Sequence, residues 1–391
     1  MRNKPIKIEK ISFTLDNWRT YPFSQFAFSN VKKIIPTAII SKGTKESNFN
    51  LDIQDLNSLI FEDKYNEKSS LSTFLENNLA DNFVVIQKGK KVFEWFKYSE
   101  LKNNQHILFS VSKSLTSLLT GMLIQDNFIK EDKEISFYIP EIKESAYKNA
   151  TIRNLLDMTV ASDFSEDYLD KTGLFNLYRE ATGFNPRHSG STIGLNEFLT
   201  KMPQSVKSHG EYYQYCSPNT DLLGWIIERV TKEKFSNVFS NYIFQKCEPK
   251  NEAYITLDPK GAPRTAGGIC MTIDDLSKLA EMVRCKGSLG NKQIIPENLM
   301  VELIDYENKF PWISKEKGVL FPKGGYRSKW YQTGLQNKEI CAIGIHGQWI
   351  WIDPVRKISI LLFSSRKKPL SPSYGKNFSL LCRELCNQVS S

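Results

Sequence analysis

The sequence has 391 residues, 40% of them hydrophobic and 12% aromatic, which is ample for a sizeable core and excludes a disordered chain. The formal charge is +9, from 52 Lys and Arg against 43 Asp and Glu. The basic runs Lys88-Gly89-Lys90-Lys91 and Arg366-Lys367-Lys368 are short and sit beside turn signals, so they read as solvated loop charge rather than a nucleic-acid surface, with only a modest preference for anionic small substrates.

In chain order, the start Met1–Lys10 lacks the apolar run of about 7–15 residues that a secretory leader needs, and no run approaches ~18 apolar residues. A cytoplasmic protein without membrane or nucleic-acid contact is expected. Phe83-Val84-Val85-Ile86 and Val92-Phe93-Glu94-Trp95-Phe96, joined by Lys88-Gly89-Lys90, read as a β-hairpin. From Ser110 to about Asn127, Val111, Leu115, Leu118, Leu119, Met122 and Leu123 recur at helical spacing. Small residues on the other face, Ser114, Thr116 and Ser117, suit a helix packed on both sides.

Residues 131 to 250 carry mostly helical pattern, with a clear helix at Leu222–Val230. Thr272 with Asp274-Asp275 opens another, running to about Arg284. Strands then follow at Cys341–Gly347, Gln348–Ile352 and Lys357–Ser364, with a turn at Asp353-Pro354, and a last helix from about Ser373 to Val389. The order predicts an α/β layer built from both chain ends, residues 1–130 and 255–391, with a helical subdomain at 131–254 inserted between and the active site at their interface. Seven cysteines, from Cys216 to Cys386, show no paired-motif spacing, and Cys382 and Cys386 fall on one helix face. Reduced thiols are the simple reading.

Three elements carry candidate chemistry. Ser110-Val111-Ser112-Lys113 fits S-x-x-K, a pattern that also occurs at Ser29/Lys32, Ser99/Lys102, Ser145/Lys148, Ser314/Lys317 and Ser373/Lys376. Ser110 differs in context: it opens a buried-type helix directly after Ile107-Leu108-Phe109, so serine and lysine share a face one turn apart. Partial burial would lower the lysine pKa and let its amine accept the serine proton. The alternative is an N-cap serine with a surface lysine. Tyr215-Cys216-Ser217-Pro218-Asn219 is the second element, where a tyrosine ahead of a helix either relays protons or packs among Tyr212 and Tyr213. The third, Ala342-Ile343-Gly344-Ile345-His346-Gly347-Gln348, is either a strand edge whose N–H completes an oxyanion hole or a bulged core strand.

In this order and at these separations the three elements resemble the serine β-lactamase and penicillin-binding-protein family in the wide sense, which includes class C β-lactamases, D-alanyl-D-alanine peptidases, family VIII esterases and 6-aminohexanoate-oligomer hydrolases. Leu155-Leu156-Asp157-Met158-Thr159, Ala266-Gly267-Gly268-Ile269-Cys270, Asp274-Asp275-Leu276 and Gln348–Pro354 extend the resemblance over nearly the whole chain. The look is nearest to the 6-aminohexanoate-oligomer hydrolases, on Leu15-Asp16-Asn17-Trp18, Ser165-Glu166-Asp167-Tyr168 and Ile345-His346-Gly347-Gln348. The fold this implies is α+β, an antiparallel sheet flanked by helices with an inserted helical subdomain.

The resemblance also implies roles. Ser110 is the nucleophile, Lys113 its base, and Tyr215 the tyrosine working with that lysine. Ile345 gives its backbone N–H to the oxyanion hole beside that of Ser110. Tyr168 contacts the scissile amide, Ser217 closes the tyrosine motif where class C enzymes have asparagine, and Trp330 lines the same pocket. No metal or other cofactor is implied, and a homodimer is the expected assembly.

Ala342-Ile343-Gly344 stands where β-lactamases carry Lys-Thr-Gly, so efficient penicillin hydrolysis is not expected. His346 could partly stand in for that lysine, although the register puts it on the far side of the glycine. The function implied is a serine hydrolase of small linear amides or esters. Its rivals are a short-chain carboxylesterase with weak or no β-lactamase activity and a non-enzymatic binding protein of the same fold. The sequence has no G-x-S-x-G elbow and no H-E-x-x-H among its four histidines, which excludes α/β-hydrolase and zincin readings.

Overall fold

The structure is a computed structural model that describes residues 12–188, 190–305 and 320–390; the start at Met1–Lys10 and the Ser314/Lys317 pair lie outside these. Its centre is an eight-stranded sheet. From edge to edge the strands are Gly325–Arg327, Trp330–Gln332, Ile340–Gly344, Gln348–Asp353, Ile358–Ser364, Ala80–Gln87, Lys90–Phe96 and Asn50–Leu51. Neighbours pair antiparallel except the last, which runs parallel to Lys90-Lys91. The predicted hairpin closes at Lys88 and Gly89, both with positive φ, as a tight two-residue hairpin turn requires.

The inner strands show no polar–apolar alternation, because both faces are covered: Gln348–Asp353 and Ile358–Ser364 are buried at every position. Ser359 pairs with Ile352, and its hydroxyl donates to Glu281 of the helix Ile273–Arg284 (2.6 Å). Trp349 points to the opposite face by strand alternation and meets Phe378 of the helix Pro372–Ser390, ring centroids 5.0 Å apart. That helix buries Tyr374, Phe378, Leu381, Cys382, Leu385, Cys386 and Val389, a stripe at helical spacing. All seven cysteines are free thiols and only Cys285 is exposed.

Between the two strand-rich ends of the chain lie mostly short helices, the longest being Pro218–Thr231, with Pro218 in its first turn where the missing N–H costs nothing. A second, four-stranded sheet pairs Thr37–Ile40, Ala253–Thr256, Ile269–Met271 and His106–Ile107. It brings the segment that leads into Ser110 beside residues 264–270. Among the described residues, no helix is long and apolar enough to cross a membrane.

Candidate active site

Ser110 follows a backbone kink. Phe109 has φ +45°, a left-handed conformation that costs a bulky residue energy and is kept only where packing enforces it. Its ring is held at 6.0 Å from Trp18 and 5.0 Å from Phe28. Trp18 is fully buried and donates its indole N–H to Phe184 O (3.1 Å), which gives the Leu15-Asp16-Asn17-Trp18 segment near the start its anchoring residue. The helix Val111–Gln125 then begins, buried nearly all round. Its small residues meet backbone closely: Ser114 donates to Lys329 O (2.8 Å), and Ser112 Oγ accepts from Ile269 N–H (3.2 Å).

Ser110 makes no capping hydrogen bond, so the N-cap alternative is not what the structure contains. Its hydroxyl instead accepts from Lys113 Nζ at 2.8 Å. Lys113 is 1% exposed, and the same ammonium donates to Ala266 O at 2.7 Å. Burial is the main cause of a lysine pKa brought down to about 8; Glu166 holds it up and Arg264 pushes it further down. At that value about a fifth of the amine is neutral near physiological pH and can take the serine proton.

The support behind Lys113 is ionic. Asp221, on the Pro218–Thr231 helix, accepts from the Ala266 N–H (2.8 Å), the residue whose carbonyl holds Lys113. The other carboxylate oxygen of Asp221 pairs with Arg264, and both side chains are buried. A chain of contacts thus runs from Arg264 through Asp221 and Ala266 to the base.

Tyr215 lies over Lys113, its ring centroid 5.1 Å from Nζ, and its hydroxyl hydrogen-bonds the Ser110 side chain. Burial pushes its pKa well above the ordinary value, with Tyr331 and Glu166 adding to the effect, so it stays a neutral phenol able to donate and accept. Glu166 fixes the surrounding loops: it accepts from Ser217 N–H (2.7 Å), Ser217 Oγ (2.8 Å) and Tyr168 OH (2.5 Å). Ser217 is therefore spent on positioning, with Tyr168 beside it on the cleft wall.

Strand Ile340–Gly344 ends where predicted chemistry begins. Ile345, His346 and Gly347 form the turn to Gln348, with φ +61° at His346 and +91° at Gly347. A Cβ on Gly344 would sit 2.6 Å from Leu108 O, so only glycine lets this strand end approach the segment entering Ser110. Ser110, Gly344 and Ile345 all line one cleft. Among the described residues neither the Ser110 nor the Ile345 N–H donates to a backbone carbonyl, which leaves both open to an oxyanion. Gly344→Ala is expected to move the turn away from Ser110 and lower kcat/KM by about 100-fold, with a folding cost of about 1–3 kcal/mol. Steady-state kinetics beside a thermal melt checks this.

Two expectations are corrected. Trp330 is fully buried and does not line the cleft; strand alternation turns it inward and presents Tyr331 instead. His346 is 3% exposed, packs 5.1 Å from Phe28 and 5.5 Å from Phe109, and bonds Arg366 O through Nδ1 (2.7 Å). Burial, the largest cause, lowers its pKa to about 4, so it is a neutral structural residue that offers no cation to a ligand carboxylate. Glu166, Asp221 and Arg264 went unrecognised as site residues. Glu166 sat in the Ser165–Tyr168 segment already noticed, whereas only a buried acid on an otherwise apolar helix face signalled Asp221.

The cleft has a volume of about 900 Å³, roomy enough for an extended small molecule. Among the described residues no group of three or more His, Cys, Asp or Glu could hold a metal ion.

The family described as Beta-lactamase matches residues 75–380 of this chain. A 6-aminohexanoate-dimer hydrolase of Paenarthrobacter ureafaciens is 29% identical over 356 residues, which is 91% of this chain and 89% of that protein. The solved structure of a Bacillus anthracis protein, itself only a candidate 6-aminohexanoate-dimer hydrolase, superposes with a TM-score of 0.88 at 20% identity, over 96% of this chain and 97% of that one. An octameric penicillin-binding-protein homologue from Pyrococcus abyssi gives a TM-score of 0.60 at 16% identity, over 80% and 75% of the two chains.

Proposed function

Since the chain belongs to the Beta-lactamase family, we propose that it is a serine hydrolase cleaving small linear amides or esters through an acyl-enzyme on Ser110. The observation that carries the reading is the Lys113 Nζ–Ser110 Oγ contact of 2.8 Å, made by a buried lysine whose pKa is about 8.

Ser110 Oγ attacks the carbonyl carbon while neutral Lys113, in contact with Tyr215, takes the hydroxyl proton. The tetrahedral oxyanion sits between the Ser110 and Ile345 N–H groups, each worth roughly 3 kcal/mol by comparison with other oxyanion holes. Tyr215 passes the proton to the departing nitrogen or oxygen, and the C–N or C–O bond breaks. Water, deprotonated by the same pair, then adds to the acyl carbonyl and frees Ser110.

Linear amides are favoured as substrates by the similarity to the Paenarthrobacter ureafaciens hydrolase over nine-tenths of the chain. Weak or absent β-lactamase activity follows from Ala342-Ile343-Gly344, which brings no lysine to the strand, and from the inward-packed His346. A carboxylesterase uses the same nucleophile and oxyanion hole, so the discriminating group is Tyr168, the cleft-lining tyrosine that the family resemblance assigns to the scissile amide. Tyr168→Phe is expected to cost roughly tenfold in kcat/KM on an amide and clearly less on the matched ester, whose leaving group needs less help. Equal losses on both would favour the esterase reading, and undiminished turnover by Ser110→Ala would end the hydrolase reading altogether.

A further inference from the structure

The basic run Arg366-Lys367-Lys368 reads in the sequence as solvated loop charge, but its first member is part of the cleft wall. The segment that carries it is tied to the oxyanion turn. Arg366 N–H donates to His346 O (3.2 Å), and His346 N–H donates to Pro369 O (2.9 Å). The Arg366 stem lies against Gly347, where a Cβ would come within 2.9 Å of its Cδ. Its guanidinium carbon stands 3.5 Å above the Tyr374 ring centroid, and one N–H donates to Asn78 Oδ1.

What sets this arginine apart is its place on the cleft wall, since Arg19, also lowered in pKa by burial and without an ion pair among the described residues, does not line the cleft. Arg264, buried, and Arg284 and Arg327, partly buried, each pair with a carboxylate, respectively Asp221, Glu281 and Asp157. Arg366 is partly buried, enough to lower its pKa, yet meets no carboxylate among the described residues. Taking a cation partly out of water without an acid to pair it is costly. Stacking on Tyr374 and the Asn78 bond hold the fork rigid but, among the described residues, use only one of its five N–H groups. A rigid fork with spare donors suits a planar carboxylate, which it can bind bidentately. The cleft that holds both Arg366 and Ser110 is also lined by Ile343, Trp349, Leu320, Phe321 and Leu370.

We propose that Arg366 is a specificity-determining residue that binds a carboxylate at the end of an apolar arm of the substrate. The inference rests on the hydrolase reading for its link to turnover, whereas the subsite itself does not need turnover. Lys367 and Lys368 add positive potential beside it.

Two substrate pairs test it, one with a six-carbon arm on the acyl side and one with the arm on the leaving side, each pair ending in either a carboxylate or its primary amide. In one pair the wild type is expected to prefer the carboxylate by about 10- to 100-fold in kcat/KM. The ratio should fall toward one in Arg366→Gln, persist partly in Arg366→Lys, and shrink with added salt. A ratio near one in both pairs, or one that survives in Arg366→Gln, overturns the proposal. Calorimetric binding of hexanoate against hexanamide to the full-length Ser110→Ala protein separates the two readings. A hexanoate preference lost on adding Arg366→Gln supports the subsite even if no substrate is turned over, and equal binding of the two ligands counts against it even in an active hydrolase.

Discussion

Lys113→Ala is expected to lower kcat/KM by a factor of about 10² to 10⁴ and to erase the ascending, acid-side limb of the pH profile. The side chain is the one amine within reach of Ser110 Oγ among the described residues, and its burial makes it a base near neutrality. In the wild type, activity should therefore rise with pH through about 8 and level off above it, because the deprotonated amine is the active form. Glu166→Gln sharpens the assignment. Glu166 is the strongest influence holding the lysine pKa up, so losing its charge moves the limb to lower pH. A limb that stayed in place in Glu166→Gln, or survived in Lys113→Ala, would belong to another group. Profiles of kcat/KM on a stable ester between pH 6 and 10 provide the readout.

Asp221→Ala should be the most destabilising single change at the site, costing about 3–5 kcal/mol in denaturant unfolding. Its side chain is wholly buried and the Arg264 side chain is 8% exposed, so truncation leaves a guanidinium in the interior without its counter-ion. The Ala266 N–H also loses its acceptor, freeing the carbonyl that holds Lys113. Burial raises the Asp221 pKa, opposed chiefly by Arg264. The pair therefore survives as an ion pair only while Arg264 is present, and Arg264→Ala should be similarly costly. An exposed pair gives the contrast: Glu197 with Lys201 lies at 41% and 60% side-chain exposure, and removing it should change stability by at most about 1 kcal/mol. Comparable losses at both places would mean that burial does not set the energetics.

The elements most legible in the sequence are those whose local signals agree. The hairpin around Lys88-Gly89, the Val111–Gln125 and Ile273–Arg284 helices and the C-terminal strands combine periodicity with turn or capping residues, and each appears within a few residues of its expected place. The Ser110, Lys113 and Tyr215 cluster could be assembled only through family resemblance, since S-x-x-K alone occurs at eight places. What stayed hidden depends on tertiary packing. Nothing local says that His346 turns inward, because its direction follows from the Phe28 and Phe109 rings around it. Trp330 and Tyr331 are adjacent aromatics, and which one faces the cleft depends on strand phase, which a three-residue strand does not reveal. Asp221 gains its role from Arg264 and Ala266, more than forty residues away. Arg366 looked like surface charge because the Tyr374 ring that pins it lies in the following helix.

The most direct test of the central claim is intact mass spectrometry of the purified protein after reaction with a fluorophosphonate, followed by peptide mapping. The account predicts one adduct per chain, on Ser110, absent in Ser110→Ala and strongly slowed in Lys113→Ala. No adduct, or one on another serine, would contradict the acyl-enzyme mechanism and leave the Beta-lactamase fold serving binding rather than catalysis.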